Sequence, residues 1–390
     1  MVYSDTVECD ESVCENFYEL TDKDFCWIWP FSVMQNFLRK YCQCKTDSIC
    51  SKILKWWFKL NRIVFGDEIP KAVYLCPELE EWLKDFKPQV IYSAIACSTF
   101  YIDFTVHIAN KFKIPVVTHM MDDWPSITYR KGLFGPYLRW RLKKRLKKLL
   151  KLSVLRMGIC SFMCEAYKKR YKLEFIPFHN AIDVSIWRSK TRKGKPVNKP
   201  FKIIYHGSIV PYSHLNSLID ICQAVGNLNN KGLEIDILIH TPRLFADLFR
   251  KYFKRFPKVF IDSTFIQPDE MPQFLSERDL LILPVNFDKK SLRYIRYSMP
   301  TKVPEYMMSG TPVLLYGPPG VASIQYALKE QWGYIVTRRS VKLLEKAIKE
   351  LIENKALCEQ LSRRAQDLAC QNHDITKVRG EFHGIFKKIF

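Results

Sequence analysis

Lys302 and Glu305 sit together in the run RYSMPTKVPEYMMSG (296–310), directly ahead of the apolar run TPVLLYGPPG (311–320). The first run reads as the opening turns of a helix and the second as a buried strand entering a Pro/Gly turn. Ser298 to Lys302 would present backbone N–H groups at a helix start, where phosphate binds readily. Lys302 adds a positive charge there. Glu305, one turn further in, can accept two hydrogen bonds from a vicinal diol such as a ribose. Together these residues could seat a nucleotide diphosphate. The plainer alternative is that Glu305 is a first-turn acid favoured by the helix dipole and that Lys302 is solvated.

Such a seat needs strands to hold it, because in open α/β sheets ligands bind outside the carboxyl ends of the strands. Four such ends are legible in the second half: His206-Gly207-Ser208, His240-Thr241, Asn286-Phe287 and the loop leading into the 301–309 helix. Gly207 has no Cβ and lets backbone approach a ligand closely.

From about residue 70 strands and helices alternate. Strands are expected at 89–95, 114–120, 154–160, 174–183, 201–207, 234–240, 258–263, 279–285, 311–316 and 333–338, with helices between most of them but none marked between 174–183 and 201–207 or between 311–316 and 333–338. This alternation predicts parallel sheets covered by helices on both faces. The polar, basic, Pro-containing stretch SKTRKGKPVNKP (189–200) reads as a linker. The expected organisation is a first domain over 1–190, a second over 201–371, and a tail over 372–390 crossing back to the first. The opening 70 residues fit poorly; FCWIWPF (25–31) is their single strand candidate, and no Gly-rich turn follows it.

The string SMPTKVPEYMMSGTPVLLY (298–316) resembles the donor-binding motif of GT-B glycosyltransferases, particularly glycosyltransferase family 4. Three more segments match that family in order: IPVVTHMMDDWP (114–125), FIPFHNAIDVSIW (175–187) and FKIIYHGSI (201–209). The resemblance covers roughly residues 75 to 390. It implies an α/β chain of the GT-B class, two doubly wound Rossmann-like domains facing across a cleft. It also implies a retaining hexosyltransferase that moves sugar from a nucleotide-diphosphate sugar to a hydroxyl of a glycan or lipid-linked acceptor, as in cell-surface polysaccharide synthesis. Neither metal nor other cofactor is called for. Glu305 would hold ribose; Ser298, Thr301 and Lys302 would meet the phosphates; Gly207 and Ser208 would form the facing wall, with His240 on a neighbouring strand end. The acceptor hydroxyl would lie near His119, Asp122 and Asp123. Two departures stand out. Tyr297 occupies the place of the family's first motif acid, and the loop HGSIVPYSHL (206–215) lacks the usual Arg and Lys, leaving Arg293 and Arg296 as nearby substitutes.

The net charge of +21 asks for an anionic partner. Residues 130–172 carry 15 Lys or Arg against the single acid Glu165, so 14 of the net charges lie there. Within that stretch YLRWRLKKRLKKLLKL (137–152) has an apolar stripe at 138, 142, 146, 149 and 150. Its cations Arg139, Arg141, Lys143, Lys144, Arg145, Lys147 and Lys148 suit an anionic membrane surface; the alternative is an ordinary helix packed on a sheet. No apolar run is long enough to span a bilayer, and the acidic N-terminus lacks a signal-peptide core. The expected location is therefore cytoplasmic, peripheral at the inner face of the membrane. The 13 cysteines include no C-x-x-C pair and read as free thiols; Cys42, Cys44 and Cys50 only loosely approach a metal pattern. No nucleic acid is expected, since no recognition motif accompanies the charge. Three rival readings fit the same residues: a nucleic-acid-associated basic protein, a non-catalytic sugar-nucleotide binder, and a sugar-nucleotide epimerase using His240 and Glu305.

Overall fold

A computed structural model of the chain describes residues 2–4, 16–20, 25–27, 59–60, 63–66, 71–73, 75–95, 99–191 and 199–389. It divides into two compact units. The first comprises Met1–Met157 with Ala166–Ile176, the second Gly158–Glu165 with Pro177–Phe390.

In the first unit, β1 (Val2–Ser4) pairs in parallel with β2 (Tyr18–Leu20), and β3 (Phe25–Trp27) pairs antiparallel with β4 (Lys71–Val73). The remainder of the 25–31 strand candidate, like Cys42, Cys44 and Cys50, lies outside the described residues. Helix α1 (Pro77–Phe86) starts where Cys76 Sγ accepts from the Leu79 N–H and ends at Lys87, whose left-handed φ of 48° precedes Pro88. Strand β5 (Ile91–Ala94), helix α2 (Thr99–Phe112) and the fully buried strand β6 (Val116–Met120) follow. Helix α3 (Gly135–Leu152) leads to β7 (Leu155–Gly158), α4 (Ser161–Tyr171) and β8 (Ile176–Pro177). Strands β5 to β8 form one sheet in sequence order. Only Ile176–Pro177 of the expected strand 174–183 is extended, because Asp183 then caps a helix that belongs to the second unit, α5 (Val184–Lys190), accepting from Ser185 N and Ile186 N.

The second unit is built on six strands: β9 (Phe201–His206), β10 (Ile235–His240), β11 (Val259–Asp262), β12 (Leu280–Pro284), β13 (Val313–Tyr316) and β14 (Tyr334–Val336). All pairings are parallel, in the order β11-β10-β9-β12-β13-β14. Strands β12 and β13 are buried along their whole length, as Leu/Ile/Val runs with helices on both faces must be. The crossovers are α6 (Asn216–Asn230), α7 (Arg243–Phe253), α8 (Met271–Ser276), α9 (Lys289–Ile295), α10 (Lys302–Met308) and α11 (Ala322–Glu330). Helices α12 (Val341–Glu353), α13 (Lys355–Asn372) and α14 (Ile375–Ile389) close the chain. Within this unit Ile182 bridges to Asp374, and the Phe178 and Phe382 rings meet edge-on at 5.6 Å. The middle of the expected linker, 192–198, lies outside the described residues.

Candidate functional site

The strand order reverses direction between β9 and β12, so their carboxyl ends flank the switch point of the sheet, where open α/β folds open a crevice. The loop after β9 is fixed there by Asn286, which is fully buried at the end of β12. Its Oδ1 accepts from Ser217 N at 3.0 Å, its Nδ2 donates to Pro211 O at 2.9 Å, and its N–H donates to Ser213 O at 2.8 Å.

Lys302, the first residue of α10, turns its side chain into this loop. Its ammonium donates to His206 O at 2.8 Å and Tyr205 Oη at 3.3 Å, and lies 4.3 Å from the Tyr205 ring centroid. Gly207 makes room for it. With φ of +122° it occupies a region side chains avoid, and a Cβ there would stand 2.6 Å from Lys302 Nζ. Burial pushes the Lys302 ammonium down to about 7, with Glu305 pulling the other way. Tyr306, on the same helix, accepts from His206 N at 2.9 Å. Gly207 thus serves a lysine first.

One strand over, His206 Nδ1 and His240 Nδ1 lie 2.8 Å apart, with rings stacked at 5.0 Å; the two are register partners in the sheet. His240 Nε2 lies 2.7 Å from Thr264 O, and a carbonyl can only accept, so His240 carries its proton on Nε2. In a neutral pair His240 Nδ1 then accepts from His206 Nδ1–H, leaving His206 Nε2 as an acceptor. Burial, then His240 and Lys302, hold His206 down to about 4, which keeps it neutral.

Glu305 is half-buried one turn into α10. Among the described residues its carboxylate has no hydrogen-bond partner in the protein, and burial raises its pKa against the pull of Lys302. Thr301 is exposed, Ser208 is half-buried, and Ser298 Oγ lies 3.5 Å from Tyr294 O. Arg293 and Arg296 are exposed. Tyr297 is held from behind: its ring packs on Phe162 at 5.6 Å and its carbonyl accepts from Cys160 Sγ at 3.5 Å. The structure therefore brings Gly207, Lys302 and Glu305 together with His240. It adds His206, Tyr205 and Tyr306, which the sequence does not mark as site residues; the one available signal is that His206 ends the same strand as Gly207.

The first unit holds the other predicted group at the end of β6. His119 is buried, with Nδ1 2.6 Å from the Tyr92 hydroxyl. Asp122 is half-buried. Asp123 is buried and engaged on both oxygens, by Arg170 at 2.6 and 3.0 Å, Tyr167 Oη at 2.8 Å and Ser126 Oγ at 2.5 Å. Its environment is that of a structural carboxylate. Among the described residues no three His, Cys, Asp or Glu cluster as a metal site would require.

On α3, Leu138, Leu142, Leu146, Leu149 and Leu150 all face the core, so the apolar stripe is spent on packing. Arg145 pairs with Asp103 and Arg139 reaches Ser126 O at 3.4 Å. Arg141 is half-buried, whereas Lys143, Lys144, Lys147 and Lys148 are exposed. No helix among the described residues is long and apolar enough to cross a membrane.

The fold is that of the GT-B glycosyltransferases. Residues 260–368 match the family model described as glycosyl transferases group 1, a stretch that contains Lys302 and Glu305, which bears out the reading of the chain as a glycosyltransferase. Among solved structures the chain is similar to sucrose-phosphate synthase from Thermosynechococcus elongatus (TM-score 0.60, 11% identity, covering 80% of this chain and 76% of that one). It is similar also to Anabaena HepE in complex with UDP-glucose (TM-score 0.56, 15% identity, 80% and 83% covered). A third is α,α-trehalose 6-phosphate synthase from Burkholderia multivorans (TM-score 0.58, 11% identity, 80% and 73% covered). Comparison with curated protein sequences gives no match.

Proposed function

We propose that the protein is a retaining hexosyltransferase that carries a sugar from a nucleotide-diphosphate sugar to a hydroxyl of a glycan or lipid-linked acceptor, without a metal, in cell-surface polysaccharide synthesis. The observation that carries this reading is the Glu305 carboxylate, unpaired within the described residues, one turn from the Lys302 ammonium at the sheet's switch point. A diol would satisfy the carboxylate, and a diphosphate would draw the ammonium outward. Lys302 and nearby backbone N–H groups would stabilise the departing diphosphate as charge develops on it. The HepE structure was solved with UDP-glucose, which supports testing uridine first. Ser298, Thr301, Gly207, Ser208 and His240 are proposed as the rest of the donor seat, with His119 and Asp122 toward the acceptor. Both ring nitrogens of His240 are engaged, by His206 and by Thr264 O, which supports transfer over an epimerase that would need His240 as an acid or base. The exposed lysines of α3 support peripheral attachment to the inner, anionic face of a membrane.

A thermal-shift series with UDP, GDP, ADP and CMP tests the donor seat. One nucleotide should raise the melting temperature, and Glu305→Ala should weaken that binding by about 10- to 100-fold, the worth of hydrogen bonds to a charged group. The unliganded melting temperature should barely move. If no nucleotide stabilises the wild-type chain, the transferase reading falls and a non-catalytic role takes its place.

A further inference from the structure

Five large apolar side chains crowd the N-terminal end of α3 in solvent. Leu133 is 76% exposed, Ile63 61%, Trp140 57%, Tyr137 55% and Phe134 49%, a concentration that packing within the first unit does not use. They are not loosely displayed. Leu133 N donates to Ile63 O at 3.1 Å and Phe134 N to Val64 O at 3.0 Å, which ties the turn before α3 to residues 63–66. At the crossing Gly66 and Gly132 have φ of +81° and +91°, and a Cβ on either would come within 2.5 Å of the other segment's backbone. Phe134 stacks on the buried Phe65 ring at 6.3 Å, Tyr137 stacks on Trp140 at 6.1 Å, and Lys144 Nζ lies 5.2 Å from the Trp140 ring centroid.

The exposed side of α3 is divided along its length. At about 100° per residue, Tyr137, Trp140, Lys144, Lys147, Lys148 and Lys151 fall on one side of the helix, and Leu133 stands in the turn just before its aromatic end. The first two turns of that side are apolar and aromatic, and the later turns are lysine. No Asp or Glu occurs from residue 130 to residue 164. A helix lying flat on a membrane segregates its faces around the axis, and here the inward stripe is already in the core. Segregation along the axis suits a helix that meets the surface at a tilt, its aromatic start in the acyl boundary and its lysines over the phosphates.

We propose that Ile63, Leu133, Phe134, Tyr137 and Trp140 form a preorganised wedge that inserts into the interface of an anionic phospholipid bilayer while the lysines of α3 hold the surface. The wedge rests on the reading of α3 as a membrane helix, and the following experiment separates the two. The full-length chain is sedimented with vesicles of phosphatidylcholine and phosphatidylglycerol, at low salt and at roughly 1 M salt, where charge is screened beyond ~3 Å. Two variants accompany it: Leu133→Ser with Trp140→Ser, and Lys144→Gln, Lys147→Gln and Lys148→Gln together. All these positions are exposed, so both variants should melt like the wild type. The wild type should keep part of its binding at high salt. The serine variant should lose that salt-resistant part by about tenfold or more, the scale expected for two withdrawn apolar anchors. The glutamine variant should lose the low-salt attraction. If the serine variant binds at high salt like the wild type, the wedge is refuted and the electrostatic reading survives. If the wild type binds no vesicles, both fall. If the serine substitutions alter only self-association in sedimentation, the patch is a contact between copies of the chain and the wedge is refuted.

Discussion

Lys302 has two of its three N–H donors spent inside the protein, and burial has lowered its pKa to about 7 from the ordinary 10.5. Between those values the unfolded chain holds a proton that the folded chain does not, so this group makes unliganded stability rise with pH across that window. An anion beside the ammonium reverses the balance and favours the charged form. Nucleotide binding at about pH 8 should therefore take up a proton, and affinity should fall as pH rises above 7. Calorimetry in two buffers of different ionisation heat reads this as a buffer-dependent enthalpy, which Lys302→Met should abolish. An enthalpy independent of buffer would show that Lys302 does not meet the phosphates. Asp123 invites the opposite expectation. Asp123 is buried while the Arg170 side chain is a third exposed, so Asp123→Asn, which gives up the charge-assisted bonds to Arg170 but leaves that guanidinium reachable by water, should cost about 1–3 kcal/mol of stability, measured by denaturant unfolding. A variant that is stable but inactive would restore Asp123 to the chemistry. At this scale the sequence marks Lys302, Glu305 and Gly207 because their types and spacing suffice. His206 and the Asp123–Arg170 pair escape it, since 34 residues separate His206 from His240 and 47 separate Asp123 from Arg170.

Helix α3 serves two surroundings with one set of residues. Its leucines fill the first unit's core, and its lysines lie outside. Leu146→Ala should cost about 2–5 kcal/mol, whereas Lys147→Gln with Lys148→Gln should stay within about 0.5 kcal/mol per site, both read from urea midpoints. A large loss in the lysine variant would mean the charges hold the fold. The strands were the most legible elements, because fully buried parallel strands are continuous apolar runs bounded by polar turns. Those of the second unit begin and end within two residues of expectation. Helices α5, α9 and α11 were not. Each is nine residues or fewer, and α5 and α9 owe their starts to single capping aspartates, Asp183 and Asp288, whose effect on a short apolar pattern is easily overlooked.

For the whole molecule, the alternation of strands and helices was enough to call the fold class, while the way the chain is shared between units was not. Gly158–Glu165 belongs to the second unit, where Cys160 and Phe162 pack behind Tyr297, and so does everything after Ile176. The chain therefore changes unit three times before it reaches residue 192. A protease nick in 192–198 would not release two proteins. The amino-terminal fragment would still own two strips of the carboxyl-terminal fragment's interior, among them Phe178 against Phe382 and Ile182 against Asp374. The halves should co-elute after cleavage, and the genes for 1–191 and 199–390, expressed together but not singly, should yield a folded split protein.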